Sequence, residues 1–279
     1  MIFYFLFFSL AQRYFLWDVF LKKFGAVSKN GYYYSMKTEQ THLSEMVFGI
    51  HPILELVKAK RRRILTVYTL DNQSPLVSMI KRQWPRVEIN RCDRARLNHL
   101  ADNTDHQGIV ALATPFEFRK KPFEATRQKF LLMLDGIQDP RNLGAILRSA
   151  YCTGVQGVII TTKHSSPINA VCLKASAGLA EHLEIQQVPA ASAGVQELKK
   201  AGYTLYIAAL AKGAVSATAP DYHLPLCVVI GSEGKGVSPD LIKQGTVIKL
   251  PQKTADISYN ASVAAGILLF LISTKNNLL

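Results

Sequence analysis

The chain has 279 residues of which 48% are apolar, enough for two domains or one domain with appendages, and this excludes disorder over most of its length. A formal net charge of +13 calls for an anionic partner. Cys92, Cys152, Cys172 and Cys227 are scattered, without a paired spacing or clustered histidines, which argues against a zinc site or a disulfide framework and fits a reducing cytoplasm.

Residues 1–45 read as an N-terminal extension. Residues 1–10 are apolar and aromatic, but Gln12, Arg13 and Asp18 interrupt the run well short of the roughly 20 residues of a membrane span. The stretch also lacks the basic start and small-residue cleavage site of a secretory signal. An interfacial anchor is one alternative. The simpler expectation is a start at Met36 or Met46, with the upstream residues untranslated or disordered and no stable membrane association. Residues 46–114 read as a small α/β unit, with helices over 52–59 and 75–83 and strands over 64–70 and 109–112. Residues 46–129 carry 16 basic and 8 acidic side chains, against 12 and 9 in residues 130–279. A solubilising surface is the plain explanation; concentration of the excess in one segment favours contact with a polyanion. Lys60-Arg61-Arg62-Arg63, followed by Lys81, Arg82, Arg86, Arg91, Arg94 and Arg96, is either a solvated face or a phosphate-contacting patch.

Residues 115–129 are charged, lack periodicity and read as a linker. From residue 130 onward strands alternate with helices. Strands are expected over 130–134, 157–161, 183–188, 203–208, 226–230 and 246–250, with helices over 143–153, 169–180, 195–201 and 261–272. Continuous apolar strands in this alternation predict an α/β domain on a parallel sheet, covering 130–279. Cys152, Cys172 and Cys227 lie in apolar surroundings and are expected in its core. The last helix is apolar around its circumference, so it is expected to be buried in the core or against a second subunit.

Two turns follow apolar strands: Ile230-Gly231-Ser232-Glu233-Gly234-Lys235-Gly236, and Leu250-Pro251-Gln252 leading to Ile257-Ser258-Tyr259-Asn260-Ala261-Ser262. Ligands of open α/β sheets bind where such strands end, so the chain is expected to be an enzyme with a small-molecule site built from backbone. No G-x-x-x-x-G-K-[ST] register fits the first turn, which disfavours nucleotide triphosphate hydrolysis. Its glycines let the main chain approach a ligand, with Glu233 the carboxylate in reach; a plain strand-to-helix turn is the competing reading. Upstream, Pro140 blocks an earlier helix start and Asn142 suits an N-cap, which would place the planar fork of Arg148 near the strand ends, suited to a phosphate. Taken alone, Asn142 reads as a plain cap and Arg148 as a surface residue. Ser258, Asn260 and Ser262 each suit the N-cap of the last helix, and two of them exceed what capping needs.

Three segments in this order, Asn142-x-Gly144-x-x-x-Arg148, Ile230-Gly231-Ser232-Glu233-Gly234-x-Gly236, and Leu250-Pro251 with Ser258-Tyr259-Asn260-x-Ser262-Val263-Ala264, resemble the three motifs of the SpoU/TrmH family of tRNA and rRNA 2′-O-ribose methyltransferases. Val47-Phe48-Gly49-Ile50-His51-Pro52-Ile53 and His106-Gln107-Gly108-Ile109-Val110-Ala111 resemble the two ends of that family's small substrate-binding domain. The likeness spans residues 46–279 and comes nearest to the RlmB-type branch, which methylates a guanosine of 23S rRNA. It implies a trefoil-knotted domain, a rare exception to unknotted folds, a homodimer, S-adenosyl-L-methionine as methyl donor, RNA as substrate and no metal. It further implies that Gly231, Leu250 and Tyr259 hold the cofactor, mainly through main-chain groups, and that Asn142, Arg148, Glu233, Ser258 and Asn260 form the active site. Tyr259 stands where the family usually has Leu, Ala261 where it has Val, and Gln252 where Met often follows the proline. In the implied reaction, Arg148 is placed by a substrate phosphate and helps the 2′-OH lose its proton; an arginine being a reluctant base, its alternative role is to orient. Ser258 and Asn260 orient the ribose, and Glu233 fixes the site architecture. The alternatives are a tRNA target, or an RNA-binding ribosome-assembly factor without catalysis, against which the joint presence of the five active-site residues argues.

Overall fold

The computed structural model describes residues 44–253 and 258–279, together with the backbone of Tyr32 and Tyr33. The expectations for residues 1–45 therefore fall almost wholly outside the described residues, as does Ile257 of the last motif. The chain divides into two compact units: residues up to Val47 with Arg62–Pro115, and Phe48–Arg61 with Phe116–Leu279. Helix α1 (Ile50–Ala59), expected in the small unit, groups with the larger one, where Glu55 accepts from His182 Nε2 at 2.8 Å and Gly178 leaves no room for a Cβ beside Pro52. Among the described residues no helix is long and apolar enough to cross a membrane.

The smaller unit is a five-stranded sheet of β1 (Tyr32–Tyr33), β2 (Ser44–Phe48), β3 (Ile64–Thr69), β4 (Glu88–Arg91) and β5 (Ile109–Ala113), in the order β1-β2-β5-β3-β4. Helix α2 (Pro75–Gln83) starts where the Ser74 hydroxyl accepts from Val77 N, and it buries Val77 and Ile80. Strand β4 and helix α3 (Arg94–Ala101) were not expected from the pattern. Neither buries enough apolar surface to show a period: α3 buries only Leu97 and Ala101 and is started by Asp93, whose carboxylate accepts from Arg96 N at 2.8 Å. The basic run at 60–63 is not a uniform patch. Arg62 is buried, donating from Nε to the Thr114 carbonyl at 2.7 Å and from Nη2 to Glu45 at 3.0 Å, while Arg61 donates to the Leu183 carbonyl. Two of the four cations thus serve the fold.

The larger unit holds seven strands: β6 (Phe130–Asp135), β7 (Gly157–Thr161), β8 (Ile185–Val188), β9 (Thr204–Ala208), β10 (Val215–Ser216), β11 (Leu226–Gly231) and β12 (Thr246–Lys249). All pair in parallel, in the order β10-β12-β9-β11-β6-β7-β8. Helices α4 (Pro140–Cys152), α5 (Ala170–Ala175), α6 (Ala191–Lys200), α7 (Pro239–Ile242) and α8 (Ala261–Lys275) complete an α/β fold of the expected class. Leu131 and Met133 of β6 pack with Val195 and Leu198 of α6 and Leu241 of α7 in one core cluster; the alternate Phe130, Leu132 and Leu134 face the other side of the sheet. Burial of both faces explains why β6 and β11 read as unbroken apolar runs.

Several local expectations change. Helix α4 is started by Asp139, whose side chain accepts from Arg141 N at 2.8 Å, with Pro140 at its first position; Asn142 is not the cap, because proline favours the first turn, where its missing N–H costs nothing. The helix expected over 169–180 ends at Ala175, since Ala177 and Gly178 take left-handed backbone angles before a 3-10 turn over Leu179–His182. Residues 116–129, read as a linker, pack on the larger unit: Phe116 and Phe123 are buried, and Arg119 N donates to the Ile185 carbonyl at 2.7 Å. Their charged neighbours mask these apolar anchors in the sequence. Cys152 is exposed rather than in the core, being at the last position of α4, whereas Cys172 and Cys227 are buried, with burial pushing the Cys172 thiol up to about 12.

Helix α4 lies against α5 at Gly144, where an added Cβ would stand 2.4 Å from the Cys172 carbonyl oxygen and 2.6 Å from Ala175 Cβ. In an open helix, alanine in place of glycine stabilises by about 0.5–1 kcal/mol. Here overpacking against backbone, costing about 1–3 kcal/mol, outweighs that gain. Gly144→Ala should therefore lower the urea midpoint without changing the m value; an unchanged or raised midpoint contradicts the packing described.

Candidate active site

The C-terminal ends of β9, β11 and β12 carry three loops that line a cavity of about 420 Å³. Ala208 ends β9 and residues 209–211 follow it, Gly231 ends β11 and residues 232–237 follow it, and Leu250 and Gln252 follow β12; Ser258 and Tyr259, with Ala261, Ala264 and Leu268 of α8, complete the lining. Its volume lies within the range of small-molecule sites. The turn after β11 is held by reciprocal bonds, Ser232 N to Gly236 O at 3.2 Å and Gly236 N to Ser232 O at 3.0 Å. Gly231 is packed so tightly under it that a Cβ would lie 2.2 Å from the Gly236 carbonyl carbon and 2.4 Å from Val237 N, and Gly236 takes φ +63°. These two positions require glycine for reasons of space and backbone angle. Gly231, Gly234 and Gly236 bring no side chain to the lining, which also includes the apolar residues Ile230, Ile242, Ile248 and Leu268.

A chain of hydrogen bonds links three segments at the mouth of this region. Asn142, in the first turn of α4, donates from Nδ2 to Glu233 Oε1 at 2.8 Å, and Asn260 donates from Nδ2 to Asn142 Oδ1 at 3.2 Å. Asn260 is also the N-cap of α8: its Oδ1 accepts from Ser262 N at 2.9 Å and from Ser262 Oγ at 2.6 Å. One amide thus satisfies the helix start with its oxygen and reaches Asn142 with its nitrogen. Because Asp139 caps α4, Asn142 is free to bind Glu233.

The eight residues singled out in the sequence fall into three groups. Gly231, Glu233, Leu250, Ser258 and Tyr259 line the cavity. Asn142 and Asn260 join it through Glu233. Arg148 is exposed on α4 and makes no ion pair among the described residues. Six residues after Asn142, it lies about 120° around the helix axis from it, on a different face of α4. Tyr259 is 43% exposed, and its hydroxyl donates to the Pro251 carbonyl at 3.4 Å, bracing the third loop. Sequence reasoning missed Ala208 to Ala211; a run of three alanines and a leucine at the end of an apolar strand is the signal that marks them. It also assigned nothing to Asp135, which ends β6 in register with Gly231 and whose carboxyl burial holds above the ordinary carboxylate range.

A family model described as the SpoU rRNA Methylase family matches residues 129–270, and one described as RNA 2'-O ribose methyltransferase substrate binding matches residues 46–119. The 23S rRNA (guanosine-2'-O-)-methyltransferase RlmB of Shewanella oneidensis is 31% identical over 238 residues, covering 81% of this chain and 95% of its own. A Bacillus subtilis protein named for the TrmH family of tRNA/rRNA methyltransferases is 31% identical over 245 residues, covering 84% of this chain and 96% of its own. Among solved structures, an AdoMet-bound rRNA methyltransferase from Sinorhizobium meliloti shares the fold with a TM-score of 0.72 at 20% identity, covering 85% of this chain and 88% of that one.

Gly231→Ala should pry open the turn, because the atoms it would strike are backbone with no freedom to yield. Hydrogen exchange of the amides from Ser232 to Val237 is expected to accelerate while the strands keep their protection; unchanged exchange in the turn would show that the close approach does not hold it.

Proposed function

The chain belongs to the SpoU rRNA Methylase family of RNA methyltransferases, and from that premise we propose that it transfers a methyl group from S-adenosyl-L-methionine to a ribose 2′-hydroxyl of RNA, its target being a guanosine of 23S rRNA. The observation that carries this reading is the main-chain cradle at Gly231, where even one added methyl would collide. A cofactor rich in hydrogen-bonding groups suits such a cavity, whose walls present backbone N–H and C=O groups at three strand ends. In this reading Gly231, Leu250 and Tyr259 hold the cofactor through their main chain. The side chain at 259, Tyr here, is then free to brace Pro251.

When bound, the cofactor supplies an electrophilic methyl on a sulfonium sulfur. A neutral alcohol is a poor nucleophile unless its proton leaves as the new bond forms, so the protein must both align the 2′-OH and ease that loss. Asn142, Glu233 and Asn260 act as one unit, each fixing the next, and Ser258 and Asn260 orient the ribose. Arg148 brings a planar guanidinium suited to grip a substrate phosphate in a bidentate way and to stabilise the oxygen as it becomes anionic. Tyr259, Val263, Ile267 and Phe270 are 43%, 49%, 41% and 59% exposed, and the last three recur on one face of α8. This bare apolar face supports a homodimer, in which Arg148 need not serve the cavity of its own chain. The trefoil knot belongs to the same proposal. Its support is that β12 pairs with β9 whereas the helix that follows packs on α4. A cytoplasmic location follows from the substrate. A tRNA target is the second reading, favoured by the tRNA/rRNA designation of the Bacillus subtilis relative.

Arg148→Ala should abolish methyl transfer to 23S rRNA, by about 100-fold or more, while S-adenosyl-L-methionine affinity stays within about twofold. Turnover equal to that of the unmodified chain would remove Arg148 from the mechanism, and methylation confined to tRNA would move the target.

A further inference from the structure

In the smaller unit, residues 81–96 carry six basic and two acidic side chains, more than the fold can use. Asp93 is committed to capping α3. Lys81, Arg82, Arg86, Arg91 and Arg94 are exposed and make no ion pair among the described residues. A structural account exists for two of them, since Lys81 and Arg82 in the last turn of α2 complement its dipole. It fails for Arg94, which opens α3 at the end where a cation opposes the dipole and where no acid follows in the first turn. Strand β4 is the edge of its sheet among the described residues and is flanked by cations at both ends, Arg86 before it and Arg91 and Arg94 after it. Four residues of strand span about 13 Å, enough to meet successive phosphates of one strand. Cations also protect an edge from pairing with another strand, but that purpose does not require Trp84. Trp84 ends α2 half-buried, between exposed Arg82 and exposed Arg86.

We propose that the last turn of α2, the Trp84-Pro85 turn, strand β4 and the start of α3 form the surface that grips single-stranded RNA, with Arg86, Arg91 and Arg94 neutralising phosphates and Trp84 stacking on an unpaired base. The proposal rests on the RNA-directed reading above and names the surface that serves it. Aromatic stacking beside cations is the usual means of holding unstacked bases without reading a long sequence.

The test measures binding of the full chain to a fluorescein-labelled RNA hairpin with an unpaired loop, across a salt series, alongside S-adenosyl-L-methionine binding. The combined Arg86→Glu, Arg91→Glu and Arg94→Glu variant is expected to lose RNA affinity by about tenfold or more. Its plot of log affinity against log salt should be shallower by about 2, roughly 0.7 for each phosphate that is no longer neutralised. Cofactor binding should be unchanged. Lys200→Glu with Lys243→Glu, exposed positions of the larger unit, should leave the slope in place. Trp84→Ala should weaken binding to the looped hairpin by about tenfold, Trp84→Phe should restore most of it, and neither should alter binding to a fully paired duplex. An unchanged slope and affinity in the triple variant, or an equal loss in the lysine control, overturns the surface. Failure of the unmutated chain to bind S-adenosyl-L-methionine while the arginine effects persist would overturn methyl transfer and leave this surface standing.

Discussion

The turn after β11 folds back onto its own first residue, and the rest of the site is arranged around that contact. Gly231 lies under the Gly236 carbonyl and Val237 amide at distances that exclude any side chain, and the Ser232 and Gly236 bonds lock the turn in that position. Glycine there costs conformational entropy, which the buried strand behind it offsets: Leu226 to Gly231 are all buried between β6 and β9. The close approach holds the turn at the edge of the cavity, where Gly231, Gly234 and Gly236 bring no side chain to the lining. It also carries Glu233 outward to the exposed tip, within reach of a helix that starts at Pro140.

What catches Glu233 there is a set of exposed hydrogen bonds, each worth about 0.5–1.5 kcal/mol, small beside the burial of the sheet. Their value is geometric. Asn142 belongs to α4, Glu233 to the turn after β11 and Asn260 to the start of α8, so three elements far apart in sequence are brought to one point by two amides and a carboxylate. The α4–α5 contact at Gly144 and the packing of α8 on α4 keep the backbone beneath them rigid. A site of this kind can be precise at little energetic cost because its scaffold is stable without it.

Much of this was legible in the residues. The apolar runs of β6, β7 and β11 declared a buried parallel sheet, and the glycine turn and the polar start of α8 declared its functional edge. Asn142 read from its residue type as the cap of α4, a task that falls to Asp139, because Asp139-Pro140 and Asn142 both satisfy the rules for a helix start, and only the structure shows which oxygen meets an amide. Strand β4 and helix α3 escaped because their cations suppress the periodicity that burial writes into other elements. Arg62 looked like its neighbours in a basic run, yet its contacts, Thr114 and Glu45, are distant in sequence. Residues 208–211, three alanines and a leucine, offered no polar side-chain chemistry to notice, although they line the cavity.

The proposed seat of the adenosyl sulfonium is the cavity at the ends of β9, β11 and β12. A crystal of the full chain grown with S-adenosyl-L-homocysteine tests this most directly. The expected map places the ligand in the cavity, hydrogen-bonded to main-chain atoms of Gly231, Leu250 and Tyr259. A ligand bound elsewhere, or a cavity left empty at saturating concentration, would contradict it.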